Sequence, residues 1–134
     1  MKLLHSEILQ IRSGEDVVRS RQAVRAKARE LGFGAVSQTK LMTAASELAR
    51  NALEHGGGGT MCLEVVDGSQ RQGLRLTFED AGPGIADIPQ AMIPGYTSRG
   101  GMGMGLGGAK KLVDEFHIES QPGHGTKVAI TRWR

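Results

Sequence analysis

The chain has 134 residues, of which 39% are hydrophobic and 23% charged, so we expect one soluble domain over residues 1–134 with an apolar core. A single cysteine excludes an internal disulfide, and no apolar run approaches the length that spans a bilayer. No signal-peptide pattern opens the chain, and these features together predict a cytoplasmic protein without a membrane partner.

Basic residues are concentrated in one stretch of the first half of the chain. The formal net charge is +3. We interpret the stretch either as a solvated helix face or as a docking surface for an acidic protein. It has no interleaved aromatic residues, so nucleic acid is not an expected partner. The residues concerned are Arg19, Arg21, Arg25, Lys27 and Arg29.

The N-terminal third predicts a strand followed by a helix. Residues 3–11 are rich in Leu and Ile and favour a first strand. Apolar residues at helical spacing then predict helix one over about 15–31. Ser13 or Gly14 is the expected cap of that helix, because both types favour the position before the first helical turn.

A second helix and a hairpin come next. Ser37 is the expected cap of helix two, and the four glycines at 56–59 are expected to end it. Residues 60–66 and 74–79 predict two strands, the second with strict alternation of apolar and polar side chains. The polar segment 67–73 between them predicts a hairpin loop.

The C-terminal part begins with a long aperiodic segment, residues 81–104, which is rich in proline and glycine and predicts a functional lid with a helical turn near 87–92. Residues 106–116 predict a helix, and 116–121 and 125–132 predict two closing strands. The order of elements predicts an α+β fold. We expect a two-layer α/β sandwich with a mixed, mostly antiparallel sheet and its helices on one face.

Two motifs suit the two ends of ATP. Asp80 ends an apolar run and precedes Gly82 and Gly84. An ionised carboxylate only accepts hydrogen bonds, which suits the exocyclic amine of adenine. About twenty residues later a glycine-dense turn opens a helix, and such a turn offers backbone N–H groups and the positive end of the helix dipole to phosphates. The turn comprises Gly101, Met102, Gly103, Met104, Gly105 and Leu106.

Helix two carries a polar edge. Glu47 and Asn51 lie four residues apart and therefore on one face, and His55 extends this edge by one turn. An amide oxygen is a suitable ligand for Mg²⁺, and a nearby carboxylate can accept a proton from an attacking hydroxyl. Thr126 begins the last predicted strand, where its hydroxyl can bridge to Asp80 or to the base. Taken alone, each of these features is more typical of a solvated helix edge or an ordinary strand residue.

The order of these motifs resembles the Bergerat-fold ATP-binding family, which includes gyrase, Hsp90, histidine-kinase and MutL ATPase domains. Within it, the chain is similar to the RsbT-type serine kinases of bacterial partner-switching modules. That resemblance implies ATP and Mg²⁺ as cofactors and phosphorylation of a serine on a STAS-domain antagonist protein. It also implies that the released kinase activates a PP2C-type phosphatase. The matching segments are 30–34, 46–51, 79–85, 114–116 and 132–134.

Carried over by position, the resemblance implies Glu47 as the general base, Asn51 as the Mg²⁺ ligand and Asp80 as the adenine contact. Arg99, just before the glycine run, is expected to reach the γ-phosphate. The complete set of expected cofactor-binding residues is Asn51, His55, Asp80, Gly82, Gly84, Ile85, Arg99, Gly101, Met102, Gly103, Met104, Gly105, Leu106 and Thr126.

Two alternatives remain open at this point. His55 and the glycines after it look more like the anti-sigma-factor kinases, which bind a sigma factor directly and phosphorylate an anti-anti-sigma protein. A non-catalytic module, in which ATP only sets the shape of a docking surface, has the same motifs. The sequence leaves the oligomeric state open as well.

Overall fold

The computed structural model describes residues 2–93 and 105–134. Most of the lid predicted over 81–104 therefore lies outside the described residues. None of the helices in the two described ranges is long and apolar enough to cross a membrane. The elements, in chain order, are β1 Lys2–Ile11, α1 Gly14–Glu30, α2 Ala35–Glu54, β2 Gly59–Gly68, β3 Arg71–Asp80, α3 Ile88–Ala91, α4 Gly105–Lys110, β4 Glu115–Ser120 and β5 Thr126–Trp133.

The strands form one sheet in the order β1-β2-β3-β5-β4, and its four pairings are all antiparallel. One face of the sheet carries the core, as β3 illustrates. Leu74, Leu76 and Phe78 are buried, whereas Arg75 and Thr77 between them are only partly buried on the opposite face. This alternation confirms the prediction of a two-layer fold with helices on one face.

The core joins the sheet to the two long helices. Leu41 and Leu48 of α2 are at most 2% exposed and belong to the same apolar cluster as Leu63 and Leu76 of the central strands. Each such leucine stabilises the fold by about 1.5–3 kcal/mol through burial. The polar residues of α2 that concern function are therefore carried on a helix held rigidly against the sheet.

Side-chain caps fix the starts of two helices. Ser13 caps α1 by accepting a hydrogen bond from the Asp16 N–H at 3.3 Å, as predicted. Asp87 caps α3 in the same way, accepting from the Gln90 N–H at 3.0 Å. The helical turn predicted near 87–92 is thereby confirmed.

The predicted start of helix two was wrong. The helix begins at Ala35, and its cap is Gly34, which has no side chain to offer. Ser37 lies inside the first turn, where its Oγ accepts a hydrogen bond from the Arg132 guanidinium at 3.2 Å. The Ser37 hydroxyl, which the sequence predicted as the helix cap, therefore binds a residue far away in the chain.

The predicted hairpin loop over 67–73 was also wrong, because the strands continue through most of it. Asp67 pairs with Gln72, and Gly68 pairs with Arg71. Only two residues remain in the turn, as is common for antiparallel hairpins. The paired residues here are polar or glycine, so no alternation of apolar side chains indicated that the strands continue.

Trp133 covers the outer face of the sheet at this end. A Cβ added at Gly68 or Gly73 would lie within 3 Å of the indole ring, so both glycines are needed for the ring to lie flat on the strands. The Arg71 guanidinium lies 5.6 Å from the ring centroid. The indole N–H donates to the Glu115 carboxylate at 2.6 Å. These contacts hold the C-terminal end of β5 against β3, at the end of β3 opposite Asp80.

Helix four is shorter than the predicted 106–116 and ends at Lys110. The next amides bond back by three residues, which tightens the last turn. The Asp114 N–H then donates to the Thr131 carbonyl at 2.9 Å, and this bond begins the sheet pairing. Phe116 consequently belongs to β4 and not to the helix.

Candidate nucleotide-binding site

A row of polar side chains crosses three strands at one end of the sheet. Asp80 ends β3 and pairs with Thr126 of β5, and Thr126 pairs with Ser120 of β4. Directly paired residues present their side chains on the same face of a sheet. The three side chains therefore lie together at the margin of the core, on the side that carries the helices.

The Asp80 carboxylate is anchored at one oxygen. Its Oδ1 accepts a hydrogen bond from the Gly82 N–H at 3.0 Å, which turns the carboxylate back over its own loop. Within the part of the chain that the structure describes, this is the carboxylate's one hydrogen bond. The side chain is half-buried. Its other oxygen has no hydrogen-bond partner in ranges 2–93 and 105–134, and its lone pairs suit a donor such as an amine.

Glycines allow the chain to pass close to Asp80. A side chain at Gly56, just after α2, would overlap the carboxyl carbon of Asp80. A side chain at Gly82 would overlap the backbone of Gly56. The end of α2 and the turn after β3 thus touch through bare backbone, and the carboxylate lies between them.

Two further glycines bring the β4–β5 turn to the same place. Gly84 and Gly125 both have φ near +78°, a conformation that side chains strongly disfavour. A Cβ at Gly84 would overlap the carbonyl oxygen of Gln121, and one at Gly125 would overlap that of Asp80. We call the four residues Gly56, Gly82, Gly84 and Gly125 the glycine cradle. Gly56 and Gly125 contact Asp80 directly, and Gly82 and Gly84 bring the turn after β3 against the end of α2 and the β4–β5 turn.

Sequence reasoning missed Ser120, which connects these parts. Its Oγ accepts a hydrogen bond from the Ile85 N–H at 2.8 Å and lies 3.0 Å from the Gly125 carbonyl oxygen. It also lies 2.8 Å from the Thr126 Oγ1. The available signal was the alternation over 116–120, which places position 120 on the core face. Ser120 thus holds the turn after Asp80 against the start of β5.

Glu47 lies across the site on α2, with its side chain 15% exposed. One carboxylate oxygen pairs with the Arg50 guanidinium at 3.1 Å. The other accepts a long hydrogen bond, 3.4 Å, from the Gly105 N–H that begins α4. The carboxylate is therefore placed at the point where the glycine-dense turn enters the helix.

A cavity of about 430 Å³ between α1 and α2 has Glu47 among its lining residues. Arg21 and Arg25 line its α1 wall, and neither guanidinium forms an ion pair with any described residue. Ser46 lines the α2 wall, and its Oγ is buried without a hydrogen-bond partner among the described residues. A buried hydroxyl without a partner is costly, so this wall suits a polar occupant.

Asn51 lies one turn beyond Glu47 on α2 and is half-buried. No three His, Cys, Asp or Glu residues group into a metal site in ranges 2–93 and 105–134. An amide oxygen supplemented by phosphate oxygens and water fits Mg²⁺, which seldom uses a cage made only of protein groups. Asn51 is thus suited to a magnesium ion that arrives with a nucleotide.

The remaining expected residues divide into two groups. His55 caps the C-terminus of α2, Leu106 is buried in the core at 4% exposure, and Ile85 packs against the core. Their roles toward a nucleotide remain predictions. Five others lie outside the described residues, and these are Arg99, Gly101, Met102, Gly103 and Met104.

The fold and the site together define the class of protein. The family of histidine kinase-, DNA gyrase B- and HSP90-like ATPases matches residues 36–133. The chain belongs to this ATPase family. The resemblance to Bergerat-fold ATP-binding domains is thereby confirmed.

Among the relatives is the serine/threonine-protein kinase RsbT of Bacillus subtilis strain 168, which is 45% identical over 118 residues. That alignment covers 88% of this chain and 89% of RsbT. The anti-sigma F factor of Clostridium novyi is 32% identical over 99 residues, covering 70% of this chain and 69% of that protein. The resemblance to the RsbT-type kinases is confirmed, and the likeness to anti-sigma factors is real but weaker.

A solved structure supports the fold independently. The RsbU and RsbW domains of a Mycobacterium tuberculosis protein superpose with a TM-score of 0.66 at 20% identity. The match covers 97% of this chain and 33% of that longer one. At this identity the likeness concerns the fold alone, and it confirms the predicted α+β architecture.

Proposed function

We propose that the chain is an ATP-dependent protein serine kinase of a bacterial partner-switching module in the cytoplasm. Its substrate is a serine on a STAS-domain antagonist protein. Once released from that antagonist, the kinase binds and activates a PP2C-type phosphatase. Membership of the ATPase family and the identity to RsbT support this proposal.

One observation carries the proposal furthest: Glu47 contacts two parts of the molecule at once. Its carboxylate accepts a hydrogen bond from the first amide of α4. Glu47 also lines the cavity between α1 and α2. A general base for serine phosphorylation has to lie close both to the substrate serine and to the phosphates, and these two contacts support that role for Glu47.

The nucleotide fits the opposite wall of the site. The second oxygen of Asp80 accepts a hydrogen bond from the adenine amine, and the glycine cradle brings the backbone segments of the site together beside that carboxylate. Asn51 would hold Mg²⁺ together with phosphate oxygens, and the ion would offset the negative charge of the transferring group. The expected phosphate contacts come from Gly105 and the glycines before it.

In the transfer step, Glu47 accepts the proton of the substrate serine while the serine oxygen attacks the γ-phosphorus. A new oxygen–phosphorus bond forms, and the bond between the γ-phosphorus and the bridging oxygen of ADP breaks. The chain contributes mainly position and charge, as is typical of phosphoryl transfer. Arg50 orients the carboxylate through its ion pair with Glu47.

The groups that line the cavity between α1 and α2 favour a protein serine over water as the acceptor of the phosphoryl group. Arg21 and Arg25 offer two positive charges that no described residue pairs, and Ser46 offers a buried hydroxyl. An acidic surface around the acceptor serine complements these groups. The basic stretch of α1 is then a docking surface and not only a solvated face.

The test combines the purified chain with ATP, Mg²⁺ and a candidate STAS-domain protein, whose mass is then measured for added phosphoryl groups. Glu47→Gln preserves an acceptor for the Gly105 N–H but removes the base, so we expect transfer to fall by about 10²–10⁴-fold. ATP affinity should stay within a few-fold of the wild type. Arg50→Ala breaks the same ion pair but keeps the carboxylate, so we expect it to reduce transfer much less than Glu47→Gln does. Wild-type transfer by Glu47→Gln would refute the assignment of the base.

A second candidate is an anti-sigma factor of the same fold, and the relationship to the Clostridium novyi protein favours it. Such a protein binds a sigma subunit in place of a phosphatase. Parallel pull-downs with a PP2C-type phosphatase and with sigma subunits separate the two. Absence of phosphoryl transfer to any STAS-domain protein, with ATP binding intact, would instead favour the non-catalytic module.

A further inference from the structure

Ser46 differs from the other buried residues of α2. Those residues are four alanines, two leucines and this serine, which is only 7% exposed. The Ser46 Oγ has no hydrogen-bond partner within residues 2–93 and 105–134. A buried hydroxyl without a partner costs stability, and alanine is the better helix former. Alanine would therefore suit position 46 better if packing within the chain alone determined the residue.

The surroundings of Ser46 suit an occupant with accepting oxygens. Ser46 lines the cavity between α1 and α2, and the described residues of that lining offer two guanidinium groups, three hydroxyls and one amide against a single carboxylate. The two guanidinium groups only donate hydrogen bonds. A serine hydroxyl turns about one torsion between staggered positions, so the Ser46 Oγ at the cavity wall can turn toward an occupant while α2 stays in place.

From this lining we propose that Ser46 is a specificity-determining residue, whose hydroxyl donates a hydrogen bond to a carboxylate side chain of the acceptor protein. Arg21 and Arg25 pair with the same carboxylate from the α1 wall. This inference rests on the proposed function, because the occupant is the protein whose serine is phosphorylated. It adds that the acceptor is selected through an acidic side chain close to that serine, since Ser46 immediately precedes the base Glu47 in the chain.

Charge favours a carboxylate over a neutral side chain as the occupant. Arg21 and Arg25 form no ion pair with a carboxylate of the described residues. The one carboxylate in the described lining, that of Glu47, is paired with Arg50 at 3.1 Å, which reduces its repulsion of a second negative charge.

The burial of the hydroxyl adds selectivity. The cost of removing the Ser46 hydroxyl from water is already present in the free chain, so an accepting oxygen gains most of the hydrogen-bond energy on docking. A protein that presents a neutral apolar side chain leaves the hydroxyl and both guanidinium groups unpaired. Such a protein is therefore bound less tightly.

Thermal melting of the purified full chain, without nucleotide or acceptor, tests whether the hydroxyl is unpaired. Ser46→Ala should raise Tm by about 2–5 °C, because it removes an unpaired buried group and favours the helix. Ser20→Ala is the matched control, since Ser20 is also buried on a helix but its hydroxyl donates to the Asp16 carbonyl at 2.8 Å. The control should not raise Tm. A lower Tm for Ser46→Ala would overturn the proposal.

Steady-state phosphorylation of a STAS-domain protein, with ATP and Mg²⁺, tests the contact with the acceptor. Ser46→Ala should raise KM for the STAS-domain protein about tenfold or more, because it removes a hydrogen bond to a charged group. The kcat and the ATP affinity should stay within about twofold of the wild type. Ser20→Ala should leave all three quantities unchanged. A purely structural role for Ser46 would not change KM alone.

A double-mutant cycle tests whether Ser46 and Arg21 hold the same carboxylate. If they do, the loss of affinity in the variant with both Ser46→Ala and Arg21→Ala should be smaller than the product of the two single losses. Independent losses, or a wild-type KM in Ser46→Ala, would overturn this proposal and leave the proposed kinase function intact. A wild-type chain that transfers phosphate to no STAS-domain protein would overturn both.

Discussion

Replacing Asp80 by asparagine tests the direction of a hydrogen bond at the centre of the glycine cradle. The wild-type carboxylate accepts from the Gly82 N–H and has a second accepting oxygen to spare. The amide of asparagine has only one accepting oxygen. When that oxygen faces Gly82, the amide NH₂ faces the adenine amine and two donors meet. When the amide is turned over, the Gly82 N–H loses its partner.

The expected cost follows from these two arrangements. Either one loses a hydrogen bond to a charged acceptor, which costs about 1.5 kcal/mol at the lower end of the usual range, and leaves a donor unpaired at about 1 kcal/mol more. The lower values apply because Asp80 is half-buried. The sum of about 2.5 kcal/mol corresponds to roughly 60-fold weaker ATP binding. Inosine triphosphate, which carries an accepting oxygen in place of the amine, should bind the asparagine variant better than ATP does.

Isothermal titration calorimetry with ATP and with inosine triphosphate, both with Mg²⁺, measures these affinities. Asp114→Asn is the matched control, because Asp114 also accepts a hydrogen bond from a backbone N–H, that of Trp133, but lies at the end of β3 opposite Asp80. The control should bind ATP like the wild type. Equal ATP affinity in the wild type and Asp80→Asn would show that the carboxylate does not contact the amine.

The remaining predictions concern the residues that support the site. Ser120→Ala leaves the Ile85 N–H without its partner, which should lower the free energy of unfolding by about 1–3 kcal/mol and weaken ATP binding. Denaturant titrations and calorimetry measure the two losses. Ser120→Thr keeps the hydroxyl and should recover at least half of each loss. Gly125→Ala combines a positive φ with overlap onto the Asp80 carbonyl, whereas Gly123→Ala has the same φ in open space. In thermal melts the first should therefore lose about 1–3 kcal/mol more than the second, and equal losses would contradict the overlap.

The sequence predicts much of the fold because its strongest patterns are local. The alternation around Leu76 and the apolar stripe of α2 follow directly from burial on one side, and both agree with the structure. The errors occur at helix boundaries that are determined by a contact with a distant part of the chain. Ser37 bonds Arg132, and the Asp114 N–H pairs with Thr131, so neither the start of α2 nor the end of α4 is decided locally.

The site shows the same division. Glu47 and Asn51 are recognisable from helical spacing, and Asp80 from its place at a strand end. Ser120 carries no motif, because its importance depends on the fold bringing three strand ends together. The closeness of Gly56 to Asp80 was equally invisible in the sequence, since it arises from packing between α2 and the turn after β3.

The position of Trp133, the chain's sole tryptophan, has a practical consequence for spectroscopy. It pairs with Gly73, seven residues along β3 from Asp80, which places the indole roughly 24 Å from the carboxylate. Its fluorescence emission should therefore change little when a nucleotide binds. The emission should shift strongly when the C-terminal strand separates from Gly68 and Gly73, on which the indole lies. Intrinsic fluorescence thus offers a readout of global unfolding that is not confounded by ligand.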